Sequence, residues 1–284
     1  MRPKHHVSLG LLGVIGIWLT AGLALPFVNV LKSQTPEQLL AMRGWLTAIL
    51  AFLLLRGRVA TTDKYTYLIA LCVPFASLGL FKGIREWGAG PTIIIIATTP
   101  AVNFFIAWIF GKKVSTAPII CFCLMLSGII AARWNGNFNM TGLLWSLLAT
   151  ATNGILYELI VRAKSSSMHR CFWGSVGIGT IGVIGSLDAS WSAVNENAEL
   201  RLAIIAFAFV GGFLYWLANL VAFDNLPVEV ASVLAQGETL AVIIVAGILL
   251  GEKLSPLQWG GVIVALIATG YLSRWVVKSE GQKT

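Results

Sequence analysis

Charged side chains are scarce in this sequence. They make up 11% of its 284 residues, whereas hydrophobic residues make up 57%. A soluble domain carries roughly 25% charged residues, which supply the polar shell around its apolar core. Because that shell is missing, the composition excludes an ordinary water-soluble domain and predicts an all-α polytopic membrane protein that lies in a lipid bilayer.

Catalytic and nucleotide-binding motifs are missing as well. The sequence has no H-E-x-x-H, no G-x-S-x-G and no P-loop. Two of its three histidines, His5 and His6, lie in the N-terminal tail, and His169 lies in a predicted loop, so no nucleophile shares its depth with a histidine. The four cysteines lack the spacing of a metal site. We therefore predict neither an enzyme nor a cofactor nor a metal site.

What the sequence has instead is long apolar stretches. A helix needs about 20 apolar residues to cross the hydrocarbon core of a membrane, and ten stretches of this kind are present, joined by short polar connections. The predicted spans are 8–29, 37–55, 66–84, 90–111, 116–133, 140–162, 171–188, 202–223, 228–250 and 256–277.

The basic residues predict the orientation of the chain. The net charge is +8, but the positive charges fall in short clusters between apolar runs, which is typical of loops beside an anionic leaflet and not of nucleic-acid binding. With the N-terminus inside, 13 of the 20 Lys and Arg residues lie on the cytoplasmic side. We therefore predict cytoplasmic termini and no nucleic-acid partner.

Two segments of the chain resemble each other. Shifting Gly88–Ser115 by 140 positions superposes it on Val228–Ser255, with matching Ala-Val, Gly, Lys and Ser positions. Each half of the chain then holds five predicted spans, an odd number, so the second half runs through the bilayer in the opposite direction. We predict two inverted five-helix repeats, at residues 1–134 and 139–278, an arrangement suited to alternating access.

This doubled pattern resembles the EamA branch of the drug/metabolite transporter superfamily. Each half places a Gly-x-Lys-x-Ser turn before its last helix, and Gly251-Glu252-Lys253-Leu254-Ser255, followed by Gln258 and Gly261, is similar to the family's signature. The first half departs from it with Lys112 in place of Glu. The resemblance implies a permease of the bacterial cytoplasmic (inner) membrane, often an exporter of amino acids, related metabolites or drugs.

Glu238 is the most informative candidate residue, because it lies near the middle of the ninth predicted span. An acidic residue at that depth costs about 2.5–3.5 kcal/mol on insertion scales, so it usually faces a cavity or a partner. Its counterpart in the first repeat is Thr98, followed by Thr99 and Pro100, and Pro100 loosens the helix there. We predict that both helices line a substrate cavity, in which Glu238 binds a cationic group or carries a proton. A structural carboxylate bonded to a neighbouring helix is the alternative.

Other polar and aromatic residues are weaker candidates. Glu158 precedes Arg162 by four residues, which favours a structural ion pair, although a cavity wall formed with Asn153 and Tyr157 is the alternative. Lys82, four residues before Glu86, either receives a substrate carboxylate or extends to the membrane surface. The candidate substrate-binding residues are Trp18, Lys82, Thr98, Thr99, Asn103, Asn153, Tyr157, Glu158, Trp216, Asn219, Gln236 and Glu238.

Three functional hypotheses follow. The first is a secondary transporter for a small molecule, an exporter of amino acids or related amphipathic metabolites and drugs, driven by protons or by the substrate's own gradient. The second is an integral membrane enzyme acting on a lipid-linked substrate with Glu158, Glu238 and Arg43; we expect these residues at different depths, which disfavours it. The third is a membrane scaffold. This hypothesis is disfavoured, because a scaffold gains nothing from the free-energy cost of burying Glu238.

Overall fold

The computed structural model describes residues 6–31, 34–111, 114–133, 139–191, 197–249 and 255–281. Throughout these ranges the regular secondary structure is helical, as the apolar runs predict. The turns at Lys112 and at Gly251–Leu254, which carry part of the repeat and of the family resemblance, lie outside the described residues, as does the predicted boundary between the two repeats at 134–138.

Thirteen α-helices are described, and we number them in chain order. In the first half they are α1 (Val7–Val30), α2 (Pro36–Leu54), α3 (Lys64–Trp87), α4 (Ala89–Ile96), α5 (Thr99–Ile109) and α6 (Thr116–Arg133). In the second half they are α7 (Met140–Arg162), α8 (Ser167–Gly185), α9 (Ala198–Phe207), α10 (Tyr215–Asn225), α11 (Val228–Ala235), α12 (Gly237–Leu249) and α13 (Pro256–Gly281). A π-helical segment, Ala208–Leu214, joins α9 to α10.

Seven segments of the described chain are long and apolar enough to cross a membrane. This confirms an all-α, multi-pass membrane protein, whereas ten spans in two inverted repeats stay a prediction. The seven segments are Val7–Ala24, Pro36–Leu54, Lys64–Trp87, Pro91–Ile109, Met140–Arg162, Ala198–Asn225 and Pro256–Ser279.

The predicted span 90–111 is divided into α4 and α5, close to the proline that was expected to loosen it. Pro100 has no backbone N–H, so the carbonyl of Ile96 loses its helical partner. The hydroxyl of Thr99 donates to that carbonyl instead, at 2.6 Å. The hydroxyls of Thr98 and Thr150 donate to the carbonyl of Ile95, at 2.6 and 3.0 Å. Side chains thus satisfy the carbonyls that the break exposes inside an apolar span.

The predicted span 228–250 is also divided, and here the expectation of one continuous helix was wrong. Helix α11 ends at Ala235 and α12 begins at Gly237. The indole of Trp18 on α1 occupies the place that a Cβ on Gly237 would need. Its Nε1–H donates to the carbonyl of Leu234 at 2.9 Å. The break therefore depends on a contact between distant parts of the sequence, which periodicity does not reveal.

The helices pack in pairs that place the two broken spans at the centre. Helix α2 packs against α8, α3 against α7, α6 against α13, and α1 against α10. The α2–α8 contact is close because it is lined by small residues, and a Cβ on Gly44 would contact the backbone of Gly179. Helix α11 of one broken span contacts α5 of the other.

Asp63 joins two connecting loops at one end of the helices. It caps α3 by accepting from the backbone N–H of Tyr65 at 3.1 Å, and it accepts from the N–H groups of Lys164 and Ser165, which precede α8, at 2.7 and 3.0 Å. Burial acts to raise the pKa of Asp63, but these N–H donors and the Thr66 hydroxyl outweigh it and hold the pKa below its ordinary value.

This balance predicts a pH-dependent stability. Because the pKa of Asp63 is lower in the folded than in the unfolded chain, its stabilisation is present at neutral pH and is lost as the pH falls through the folded-state value. We expect Asp63→Asn to lower the unfolding temperature in detergent at neutral pH, and the difference from wild type to shrink below about pH 4. The exposed Asp188 supplies the control Asp188→Asn, which should have no effect. A difference that is the same at neutral and acidic pH would contradict this account.

Candidate substrate-binding site

Five helices bring one side chain each to the neighbourhood of Glu238. We call this group the central cluster: Trp18 on α1, Arg43 on α2, Tyr157 on α7, Tyr215 on α10 and Glu238 on α12. The Tyr215 hydroxyl donates to Glu238 Oε2 at 2.8 Å. The guanidinium carbon of Arg43 lies 6.0 Å from the centre of the Tyr215 ring. Tyr157 and Arg43 are both close enough to Glu238 for electrostatic interaction.

The π-helical segment directs Tyr215 toward this cluster. A π-helical turn opens the regular hydrogen-bond ladder and occurs frequently at functional sites. The hydroxyl of Thr47 on α2 donates to the carbonyl of Ala208, the first residue of the segment, at 3.2 Å. Gly212 lets the segment approach α2 closely, since a Cβ there would lie 3.2 Å from Arg43 Cγ. Helix α10 then begins at Tyr215, beside Arg43.

The central cluster combines buried charge with partial access. Arg43 and Tyr157 are only 8% and 9% exposed, whereas Trp18, Tyr215 and Glu238 are half-buried. Because the charged and hydroxyl groups come from helices of both halves of the chain, a molecule that reached them would contact both halves. The arrangement can bind a small polar group in an otherwise apolar environment.

Three of the predicted site residues belong to the central cluster. Glu238 has its partner on a neighbouring helix, as the structural alternative expected, and Trp18 and Tyr157 join it. Gln236 stands at the break beside Glu238, but it is buried and its Nε2 donates to the Ser232 carbonyl in its own helix at 3.2 Å.

The polar residues of the first broken span mainly hold helices together. The hydroxyls of Thr98 and Thr99 donate to carbonyls at the break. Asn103 is fully buried, and its Nδ2 donates to the Gly154 carbonyl at 2.8 Å, which joins α5 to α7. Asn153, which directly precedes Gly154 in the sequence, is half-buried. Their direct role in binding stays a prediction.

The remaining candidates lie in other contacts. Lys82 pairs with Glu37 on α2 at 2.9 Å, not with Glu86. The predicted ion pair between Glu158 and Arg162 is confirmed, at 3.6 Å.

Two candidates on the eighth predicted span, Trp216 and Asn219, also make contacts within the helix bundle. Trp216 is buried against Gly174 of α8, and Asn219 Nδ2 donates to the Tyr215 carbonyl in its own helix at 2.9 Å. Neither belongs to the central cluster.

Sequence reasoning missed Tyr215 and considered Arg43 only for the enzyme hypothesis. On the eighth predicted span it selected Trp216, one position from Tyr215. An arginine inside a predicted span, such as Arg43, is itself a signal of a functional or paired charge. The enzyme hypothesis expected Glu158, Glu238 and Arg43 at different depths; Arg43 and Glu238 both lie near Tyr215, whereas Glu158 pairs with Arg162.

A buried ion pair was also missed. Arg170 on α8 donates to Asp224 Oδ1 on α10 at 2.7 Å and to the Ile160 carbonyl at 2.9 Å. Arg170 is 3% exposed. The pair ties the beginning of α8 to the end of α10, and a paired arginine of this kind has a structural role.

Comparison with known proteins identifies part of the chain. Residues 140–274 match the EamA-like transporter family, which belongs to the drug/metabolite transporter superfamily. No curated protein matches the sequence. Among the solved structures that match, one described only as "Crystal structure of protein" has a TM-score of 0.81 at 11% identity and covers 96% of this chain and 99% of its own. At that identity the likeness shows the fold alone.

The contact at the second break predicts a specific loss of stability. Trp18→Phe keeps an aromatic ring but removes the N–H that bonds the Leu234 carbonyl, and an unsatisfied buried polar group costs about 1–3 kcal/mol. We expect a lower unfolding temperature in detergent. Trp108, which is 71% exposed, supplies the matched control Trp108→Phe. Equal effects of the two substitutions would contradict the assigned role of Trp18.

Proposed function

We propose that this protein, whose residues 140–274 are an EamA-like transporter domain, is a secondary transporter that exports amino acids or related small amphipathic metabolites and drugs. It is a multi-pass membrane protein that acts on a small molecule across a lipid bilayer. We further propose that it lies in the cytoplasmic membrane of a bacterium with both termini in the cytoplasm, and that it works by alternating access of two inverted repeats.

The observation that carries the proposal is the pair of broken helices. The first break follows Ile96, and the second follows Ala235. When the two repeats are aligned by the shift of 140 positions, the two breaks fall within one residue of each other. Helix α11 contacts α5, so the two broken spans meet. In transporters built from inverted repeats, discontinuous helices meet near the midplane and form the substrate site. This supports repeats at 1–134 and 139–278.

The central cluster supports the same proposal electrostatically. Ionisable side chains inside membrane-spanning segments are costly and usually mark a substrate or ion pathway. Arg43 and Glu238 offer opposite charges to one small molecule, while Trp18 and Tyr157 offer aromatic surface. Since the sequence has no nucleotide-binding motif, we propose that an ion gradient or the substrate's own gradient supplies the energy.

Counterflow in liposomes tests the proposed activity directly. The purified full chain is reconstituted with unlabelled compound inside, and uptake of radiolabelled amino acids and cationic drugs is followed. We expect transient accumulation of at least one amino acid above its equilibrium level. Absence of counterflow for every compound, with the fold intact, would refute transport of this substrate class.

Glu238 is the candidate for proton coupling. Glu238→Gln keeps the size of the side chain and an acceptor for the Tyr215 hydroxyl, but it removes the group that gains and loses a proton. We expect loss of accumulation driven by a pH gradient, with counterflow exchange retained. Glu86→Gln, which alters an exposed carboxylate in α3, is the control and should retain pH-driven accumulation. Unchanged pH dependence in Glu238→Gln would exclude the coupling role.

A further inference from the structure

Arg43 is a buried cation that forms no ion pair in the described part of the protein. It is 8% exposed, its Nε has no hydrogen-bond partner, and no described carboxylate forms an ion pair with it. A buried charge normally requires both a partner and hydrogen bonds to offset its lost hydration. An anion from outside the chain could therefore stabilise the buried charge of Arg43 by accepting hydrogen bonds from its guanidinium group.

Other basic residues in the helices differ from Arg43 in this respect. Arg170 is equally buried but holds Asp224 through both terminal nitrogens. Lys82 holds Glu37, and Arg162 holds Glu158. Among the lysine and arginine side chains that the structure describes as buried or half-buried within helices, Arg43 is therefore the one that forms no ion pair.

The surroundings of Arg43 hold its charge in place without neutralising it. The guanidinium carbon lies 6.0 Å from the ring centres of both Phe207 and Tyr215, so aromatic faces stabilise the cation. The Gly212 backbone packs against its stem. Neither contact uses the planar N–H donors, and this geometry matches a carboxylate, which can accept two parallel hydrogen bonds from a guanidinium.

Glu238 lies near the same aromatic side chain. The Arg43 guanidinium carbon is 6.0 Å from the centre of the Tyr215 ring, and the Tyr215 hydroxyl donates to Glu238. The site therefore offers one positive and one negative group beside a single aromatic residue. A molecule that carries an anionic and a cationic group close together complements both of these charges.

We infer that Arg43 is the residue that binds the carboxylate of a transported amino acid and that Glu238 receives its ammonium group, so that this pair of residues distinguishes an amino acid from its amide. This inference rests on the proposed transport function. It places the carboxylate-binding role, considered for Lys82 on sequence grounds, on Arg43 at the centre of the bundle, because Lys82 already has Glu37 as its partner.

Paired probes test the inference on the full chain in liposomes. L-leucine and L-phenylalanine are compared with L-leucinamide and L-phenylalaninamide, which keep the ammonium group but lack the carboxylate, at slightly acidic pH. Each compound competes for counterflow of the labelled amino acid, and the ligand-induced rise in unfolding temperature gives a second measure of binding. The wild-type protein should prefer each acid over its amide by at least about tenfold, the scale of one buried charge-assisted contact.

Substitutions at Arg43 should remove this preference selectively. In Arg43→Gln we expect the acid and its amide to compete equally, through weaker binding of the acid. Arg43→Lys keeps the charge but loses the planar fork, so it should be intermediate. The exposed Arg58 supplies the matched control Arg58→Gln, which should keep the wild-type ratio.

The outcomes separate this inference from the proposed function. Transport by wild type with equal competition from acid and amide, or an unchanged ratio in Arg43→Gln, would overturn the role of Arg43 and leave transport intact. No transport and no thermal shift with any probe in wild type would overturn both. If Arg43→Gln does not fold, Arg43→Lys and the wild-type ratio decide the question.

Discussion

The hydrogen bond from the Trp18 indole to the Leu234 carbonyl allows an apolar span to stop and restart within the bundle. In hydrocarbon no water is available to a free carbonyl, so a broken helix persists only where protein groups replace the missing bonds. Trp18 does this for α11 and α12, and threonine hydroxyls do it for α4 and α5. The break places Gly237 against α1 and presents Glu238 toward Tyr215. The geometry of the central cluster therefore depends on how these carbonyls are satisfied.

Charge in the bundle is distributed in two ways. Arg170 with Asp224, and Lys82 with Glu37, are ion pairs between helices, and such pairs hold an assembled arrangement. Arg43 and Glu238 instead form no ion pair with each other among the described contacts, and both lie near Tyr215. Their charges are therefore available to a third molecule. The proposed substrate would pair with each of these two charges and so offset the free-energy cost of burying them.

Much of the fold was predictable because apolar length determines where helices lie in a membrane protein. The first interruption was predictable too, since Pro100 removes a backbone donor wherever it stands. The second was not, because it depends on Trp18, more than 200 positions away in the sequence. Glu238 and Tyr157 could be chosen as isolated polar residues in apolar runs. Tyr215 could not be distinguished from Trp216, because the π-helical segment ahead of it changes which side chains face the interior.

The central claim is that Arg43, Tyr215 and Glu238 form one site at which a small zwitterion is carried across the membrane. Counterflow by Tyr215→Phe tests it most directly, because this change keeps the ring that contacts Arg43 and removes only the hydroxyl that bonds Glu238. The account predicts a counterflow rate clearly below that of the wild-type protein in a variant that remains folded. A wild-type rate of counterflow in the folded variant would contradict it.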